Sequence, residues 1–441
     1  MIKILLFLIF IFFSLGQIGR VSFLNQQINF YLYELLMFFL LLFYFLKFNF
    51  SPFKKLLKNH RWILWGWGYL FFSFCFSFFK YLPFENLVSF LYFLRLFFYF
   101  VFFLYFYFYY QKKPKKEIVL GLLIFSFLTI VLSFIQFFLY PNLRNLAYLG
   151  WDVHQNRVFG LFFDTSIAAS IYGLLFLFWI IIFYYKVDSN LQIIVIPDLI
   201  RNLYYCFINF IDSRLRQVQD CTWLRGNDIY KNQISRDSWN NKIINQNRLS
   251  ILFLPPLFIL LYFTYSRFVI FSFLATLFLF FLKQSSFKKF FFILLFFIFL
   301  LIFFPQKSGI GVNLNRFFSI ESRIDENILG IKMGLKNPLF GIGYNRIKFF
   351  RQKENLIWKS DFNIHHGASS FQSTYITIFV SAGIIGLLFL GKIIIELLKF
   401  NHHFFYLIIF IGTASLADNL LLHPLVIFIL GSMLTIFDKR Q

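Results

Sequence analysis

A pair of histidines, His365 and His366, closes a polar stretch running from residue 306 to residue 372, which holds ten Lys or Arg against five Asp or Glu. Imidazole accepts a proton near neutral pH, so a histidine facing a hydroxyl is a natural general base. Guanidinium presents a planar fork to phosphate oxygens and keeps its charge throughout the physiological range. Histidine and arginine together suit a transfer in which a hydroxyl attacks and a phosphate departs. The pair is a poor metal site, because no outward cysteine, third histidine or acidic cluster joins it. Neither metal nor cofactor is expected.

These residues need elements to hold them. Ser322 with Asp325 reads as a helix start, and Asn337-Pro338 as its stop. Between them Ile324, Ile328, Ile331 and Leu335 share one helical stripe, and Arg323, Asn327, Gly330 and Gly334 share another. The apolar stripe is expected to lie on the protein. The second offers an arginine beside positions without side chains, where a bulky anion can approach the backbone. An interfacial helix with a solvated arginine has the same pattern. The segment NPLFGIGYN follows, and its proline with Gly341 and Gly343 implies a tight, backbone-exposing turn.

Two further arginines sit at the ends of apolar runs. Arg267, in YFTYSRFVIF, is either a snorkelling anchor or a cavity-facing charge, since an arginine at mid-bilayer costs about 2.5–3.5 kcal/mol. Arg157 and Gly160 precede Ser166, Ala168, Ala169 and Ser170, small residues that let helices pack closely.

The chain as a whole is a membrane protein by composition. Its 441 residues are 59% hydrophobic and 14% charged, and the mean hydropathy is +0.71; that excludes an ordinary soluble domain. The 75 phenylalanines read as genomic base composition rather than function. A net charge of +23 does not imply nucleic acid, because the basic residues are parcelled into short loops, as the positive-inside rule requires. Cys75, Cys206 and Cys221 fit neither a disulfide framework nor a metal site.

Twelve apolar segments are expected to be helices: 3–16, 29–47, 62–80, 86–110, 118–140, 165–185, 250–265, 268–282, 289–305, 373–398, 404–418 and 421–437. The first is expected to be a membrane helix rather than a cleaved signal. Lys and Arg at 54–61, 111–116, 283–289 and the C-terminal end place those loops and both termini inside. The fold class is therefore all-α and polytopic, with about twelve transmembrane helices. Residues 1–117 hold the first four helices, and 118–186 hold the next two with an outer loop at 141–164. Residues 187–249 form a cytoplasmic insert, too poor in apolar clusters for a core and read as non-catalytic. Residues 250–305 hold helices seven to nine, 306–372 a large extracytoplasmic loop containing short helices, and 373–441 the last three helices.

The order of these pieces resembles the O-antigen ligase and polymerase family of membrane glycosyltransferases. The resemblance covers roughly residues 118–186 and 250–398. It rests on R-x-x-G-x-F at Arg157, the T/S-x-SR junction at Thr264, Ser266 and Arg267, the helix bearing Arg323, the NPxxGxG turn after it, and GxxG at Gly383 and Gly386. Family members show His-Asn about eleven residues before that glycine, where this chain has Gln372-Ser373; His365 and His366 lie six and seven residues earlier in the longer H-x-A-S form. The resemblance implies a GT-C-like membrane fold in a bacterial cytoplasmic membrane, with the site facing outward. It implies a polyprenyl-pyrophosphate-linked glycan as donor, a glycan, lipid or protein as acceptor, and membrane lipids as partners, with no nucleic acid. Arg267 and Arg323 would hold the pyrophosphate and His366 would be the base, with Arg157, Asn327, Gly341, Gly343 and His365 binding substrate. No Asp-x-Asp lies on the outer face, so guanidinium is expected to replace a divalent ion. The acceptor separates ligase, polymerase and protein-glycosylating members, and the ligase label is favoured. A transporter or flippase for an anionic lipid is the competing class; it predicts repeated halves and midplane polarity, neither of which the chain displays.

Overall fold

The computed structural model describes residues 2–24, 26–111, 113, 115–185, 246–303, 312, 318–356 and 366–437. The expectations for 187–245, for the loop on either side of Val312 and for His365 lie outside the described residues.

Each of the twelve apolar segments contains a helix. In chain order they are α1 (Ile2–Ser14), α2 (Leu32–Phe48), α3 (Ser51–Asn59), α4 (Arg61–Phe76), α5 (Pro83–Tyr110), α6 (Lys116–Leu139) and α7 (Thr165–Tyr185). Then come α8 (Gln246–Phe263), α9 (Arg267–Lys283), α10 (Phe287–Phe303), α11 (Phe318–Leu335), α12 (Ile347–Lys353), α13 (Thr374–Phe400), α14 (His402–Ala414) and α15 (Pro424–Phe437). By length and composition five of the described helices can each cross a membrane, or six if the bent pair α2 and α3 counts as one span. The break between α8 and α9 falls at residues 264–266, where the arginine junction was expected.

One element departs from the all-helical expectation. Arg20–Phe23 and Ile28–Tyr31 pair as an antiparallel hairpin, with Arg20 opposite Tyr31. Residues 29–31 therefore belong to a strand, and the helix expected from 29 begins at Leu32. Alternating Val21, Phe23, Ile28 and Phe30 suit a half-buried pleat better than a helix face.

α7 is the centre of the bundle. From Ile167 to Ile182 every residue is buried, as expected of a helix that is apolar all round. Gly173 of α7 allows a close approach: a side chain there would collide with the Phe410 ring of α14. Gly121 of α6 receives Phe10 of α1 in the same way.

The segment before α13 builds a second small core of Met333, Ile342, Ile347, Phe371 and Val380, seated on the first half of α13. α11 extends one turn before Ser322, so the capping signal lies inside the helix rather than at its start. Its faces are also reversed from expectation. Ile324, Ile328, Ile331 and Leu335 are 44–61% exposed, whereas Gly330 and Gly334 press against Phe371, Ile376 and Phe379. Two glycines one turn apart let helix backbones approach closely, so they form the packing seam. The isoleucine edge is left outward.

α13 is kinked at Gly383, where φ is +67°. The kink frees carbonyls, and the NPLFGIGYN turn uses them: the Ile342 and Gly343 amides donate to Val380 and Ser381 oxygens at 2.9 Å, and the Ile384 amide donates to Pro338 oxygen at 2.8 Å. From α4, the Tyr69 hydroxyl donates to the Leu339 and Ala382 carbonyls, and the Ser73 hydroxyl to that of Phe340. Gly383→Ala drives a methyl into the Leu339 carbonyl and adds left-handed strain, together costing about 1–3 kcal/mol or more. A clear drop in the thermal midpoint of the purified protein is expected; an unchanged midpoint would show that the turn is not seated on the kink.

Candidate active site

The junction between α8 and α9 is held from below by Arg157. Its Nε donates to the Thr264 carbonyl at 2.9 Å, and the next amide, Val158, donates to Phe263 oxygen at 2.9 Å. The segment around Arg157 is fixed in turn by buried Gln136 of α6, whose Oε1 accepts from the Phe159 and Gly160 amides at 3.0 Å. Gly160, at φ +56°, has no room for a side chain beside Ser133 and Tyr172. Arg157 is itself buried, so in this structure it positions the junction.

The junction carries backbone strain at Tyr265, φ +51°. That turn brings Ser266 to the N-cap of α9 and sets its hydroxyl 3.4 Å from Ser166, in the first turn of α7. Asp164 accepts from the Ser166 and Ile167 amides at 2.7 and 2.9 Å, capping α7. Two helix N-termini thus converge; Asp164 already occupies that of α7, while that of α9 contributes a partial positive charge suited to an anion.

Arg323 of α11 reaches the same place. Its guanidinium lies 5.7 Å from the Phe268 ring, next in sequence to Arg267, and the charges of Arg267 and Arg323 act on each other. Residues distant in sequence are therefore brought together. Arg323 is held by the loop between α14 and α15: Nη1 donates to Ala417 oxygen at 2.9 Å and lies 3.2 Å from Asp418 Oδ1. Both contacts use Nη1.

Asp418 was not among the expected site residues. It fell at the end of the apolar segment 404–418, but α14 stops at Ala414 and leaves Asp418 in a buried loop. An acid at the edge of an apolar run is a signal in itself. Burial pushes its carboxyl up to about 6; Arg323 opposes this and nearby Asp164 adds to it. Among the described residues Oδ2 is buried without a hydrogen-bond partner.

The histidine segment converges on the same loop. A 3-10 turn, His366–Ser369, precedes α13. The Thr374 amide donates to Ser415 oxygen at 3.1 Å, and the Thr374 hydroxyl accepts from the Leu420 amide at 3.0 Å. These bonds stitch the start of α13 to the loop bearing Asp418. For His366 the backbone alone is described. Asn327 faces inward from α11, and among the described residues its buried Oδ1 has no hydrogen-bond partner. Gly341 and Gly343 are buried in the turn against α13, with their amides bonded to Asn337 and Ser381 oxygens at 2.9 Å.

Two of the basic residues between 306 and 372 serve the fold. Arg346 is fully buried, donating to Phe74 oxygen and to Asn86, and burial lowers it to about 10. Arg351 makes a two-pronged pair with Glu326 at 2.8 and 3.3 Å and stacks on Phe371, tying α12 to α11. The basic excess of that stretch is thus partly structural.

Residues 251–391 match the family model Wzy_C, described as O-Antigen ligase. The stretch contains the Arg267 junction, Arg323, the glycine turn and the histidine segment. It bears out the resemblance read from the sequence and supports a membrane glycan-transfer role in general. No curated protein and no solved structure matches the chain.

Proposed function

We propose, on the premise that residues 251–391 form an O-antigen ligase domain, that the chain transfers a glycan from a polyprenyl-pyrophosphate donor to an acceptor hydroxyl. The reaction takes place at the outer face of a cytoplasmic membrane, and the twelve apolar segments cross or enter that membrane. The observation that carries this reading is the meeting of Arg323 and Arg267 beside the N-termini of α7 and α9. Two guanidiniums and the dipole of α9 suit the charge that builds on a departing pyrophosphate.

In the proposed step His366 takes the proton of the acceptor hydroxyl. The oxygen attacks the anomeric carbon, the bond from that carbon to the pyrophosphate oxygen breaks, and polyprenyl pyrophosphate leaves, with inversion. Arg323 and Arg267 stabilise the leaving group and no divalent ion is needed. Asn327 faces the glycan. An apolar groove of about 760 Å³ between α4, α5, α13 and α15 includes Leu421 and Leu422, just beyond Asp418, and has room for a lipid tail.

Release of polyprenyl pyrophosphate from a lipid-linked glycan by the purified protein tests the reading. Release that survives EDTA and is lost in His366→Ala is expected. No release by the wild type across several donors and acceptors would overturn it.

A further inference from the structure

The corner between α3 and α4 carries charges that the transfer reaction leaves unused. α3 turns away from α2 by 81°. Its Pro52 and Leu56 are buried against the protein, while Lys54, Leu57 and Lys58 are exposed. A short two-faced basic helix at so sharp a bend suits the plane of a membrane surface.

Lys54, Lys58 and Arg61, the first residue of α4, line one side of a cavity of about 770 Å³; Leu57, Leu64, Trp65 and Gly68 line the rest. The two lysines are one turn apart, and Arg61 Nε donates to Leu57 oxygen at 3.1 Å, which fixes its guanidinium at the corner. Trp65 lies one turn further along α4 and is 74% exposed. At Gly68 a side chain would meet nothing within 4 Å, so a notch runs along α4 beyond the cations. No acidic side chain pairs with any of the three among the described residues.

We infer that this corner is a binding site for a phospholipid with a net negative headgroup. The phosphate sits among Lys54, Lys58 and Arg61, and an acyl chain lies along Leu64, Trp65 and Gly68. The charge sign selects the headgroup, the apolar notch takes the chain, and an interfacial tryptophan marks the depth at which the two meet. The site does not depend on the reaction proposed above.

Native mass spectrometry of the delipidated full chain, back-titrated with phosphatidylglycerol or phosphatidylcholine, tests this. Phosphatidylglycerol is expected to bind in preference. Its affinity falls roughly fivefold for each cation removed, and about a hundredfold in Lys54→Gln/Lys58→Gln/Arg61→Gln. Lys54→Arg/Lys58→Arg retains binding, as does Lys288→Gln/Lys289→Gln at the other basic loop. Equal binding of the two lipids overturns the site. So does an equal loss in the Lys288/Lys289 variant, which would mean diffuse attraction to any basic loop.

Discussion

Arg323→Ala lowers glycan transfer by about 10²–10³-fold, the scale of losing one preorganised group from a site of developing negative charge. Arg323→Lys restores little, because an ammonium cannot bind two phosphate oxygens in a planar fork. The variant also strands Asp418, whose carboxylate is buried and faces Arg323 at 3.2 Å. Part of any loss could therefore come from a destabilised loop. The double variant Arg323→Ala/Asp418→Asn separates the two effects. Removing the uncompensated charge recovers thermal stability, while transfer stays as low as in the single variant. A loss below about tenfold in Arg323→Ala, or recovery of transfer in the double variant, would remove Arg323 from the chemistry.

Asp418→Asn changes the pH profile. Burial raises Asp418 to about 6 from its ordinary 3.8, so the folded protein binds that proton more tightly than the unfolded chain does. The sign for stability follows: the contribution is full below about 4, declines as pH rises towards 6, and is constant above. Function runs the other way. Above about pH 6 the carboxylate is charged and holds Arg323 in place; below it the pair is lost. Protonating Asp418 therefore lowers kcat/KM by a step of about tenfold centred near pH 6, as Arg323 loses its anchor. In Asp418→Asn that step is absent, the rate above pH 6 is already about tenfold down, and the stability change between pH 4 and 6 disappears. A profile identical to the wild type would show that Asp418 does not position Arg323.

Much of the helical framework was legible because it is local. Twelve apolar runs became helices, and the break at residues 264–266 followed from polarity alone. The arginines at 157 and 267 stood out because charge is costly at the end of an apolar run, and Arg323 because helical period set it beside Gly330 and Gly334. The histidine segment was located in the same way, although the backbone of His366 settles only its place before α13.

What one strand of text cannot carry is which distant groups meet. Helical periodicity placed Arg323, Gly330 and Gly334 on one stripe, but left open whether glycine meant an open approach or a packing seam. Phe371, Ile376 and Phe379, residues of another segment, decided for the seam. NPLFGIGYN read as a turn, yet its use depends on carbonyls freed by a kink at Gly383. Arg157 read as a phosphate contact, and the Thr264 carbonyl makes it a brace for the Arg267 junction. Asp418 looked like the end of a span until α14 stopped four residues earlier and Arg323 closed on it. Composition and period determine the helices, because hydrogen bonding and burial within a helix involve near neighbours. Loop-to-loop pairing over long separations decides the site, and its signature appears once the chain has folded.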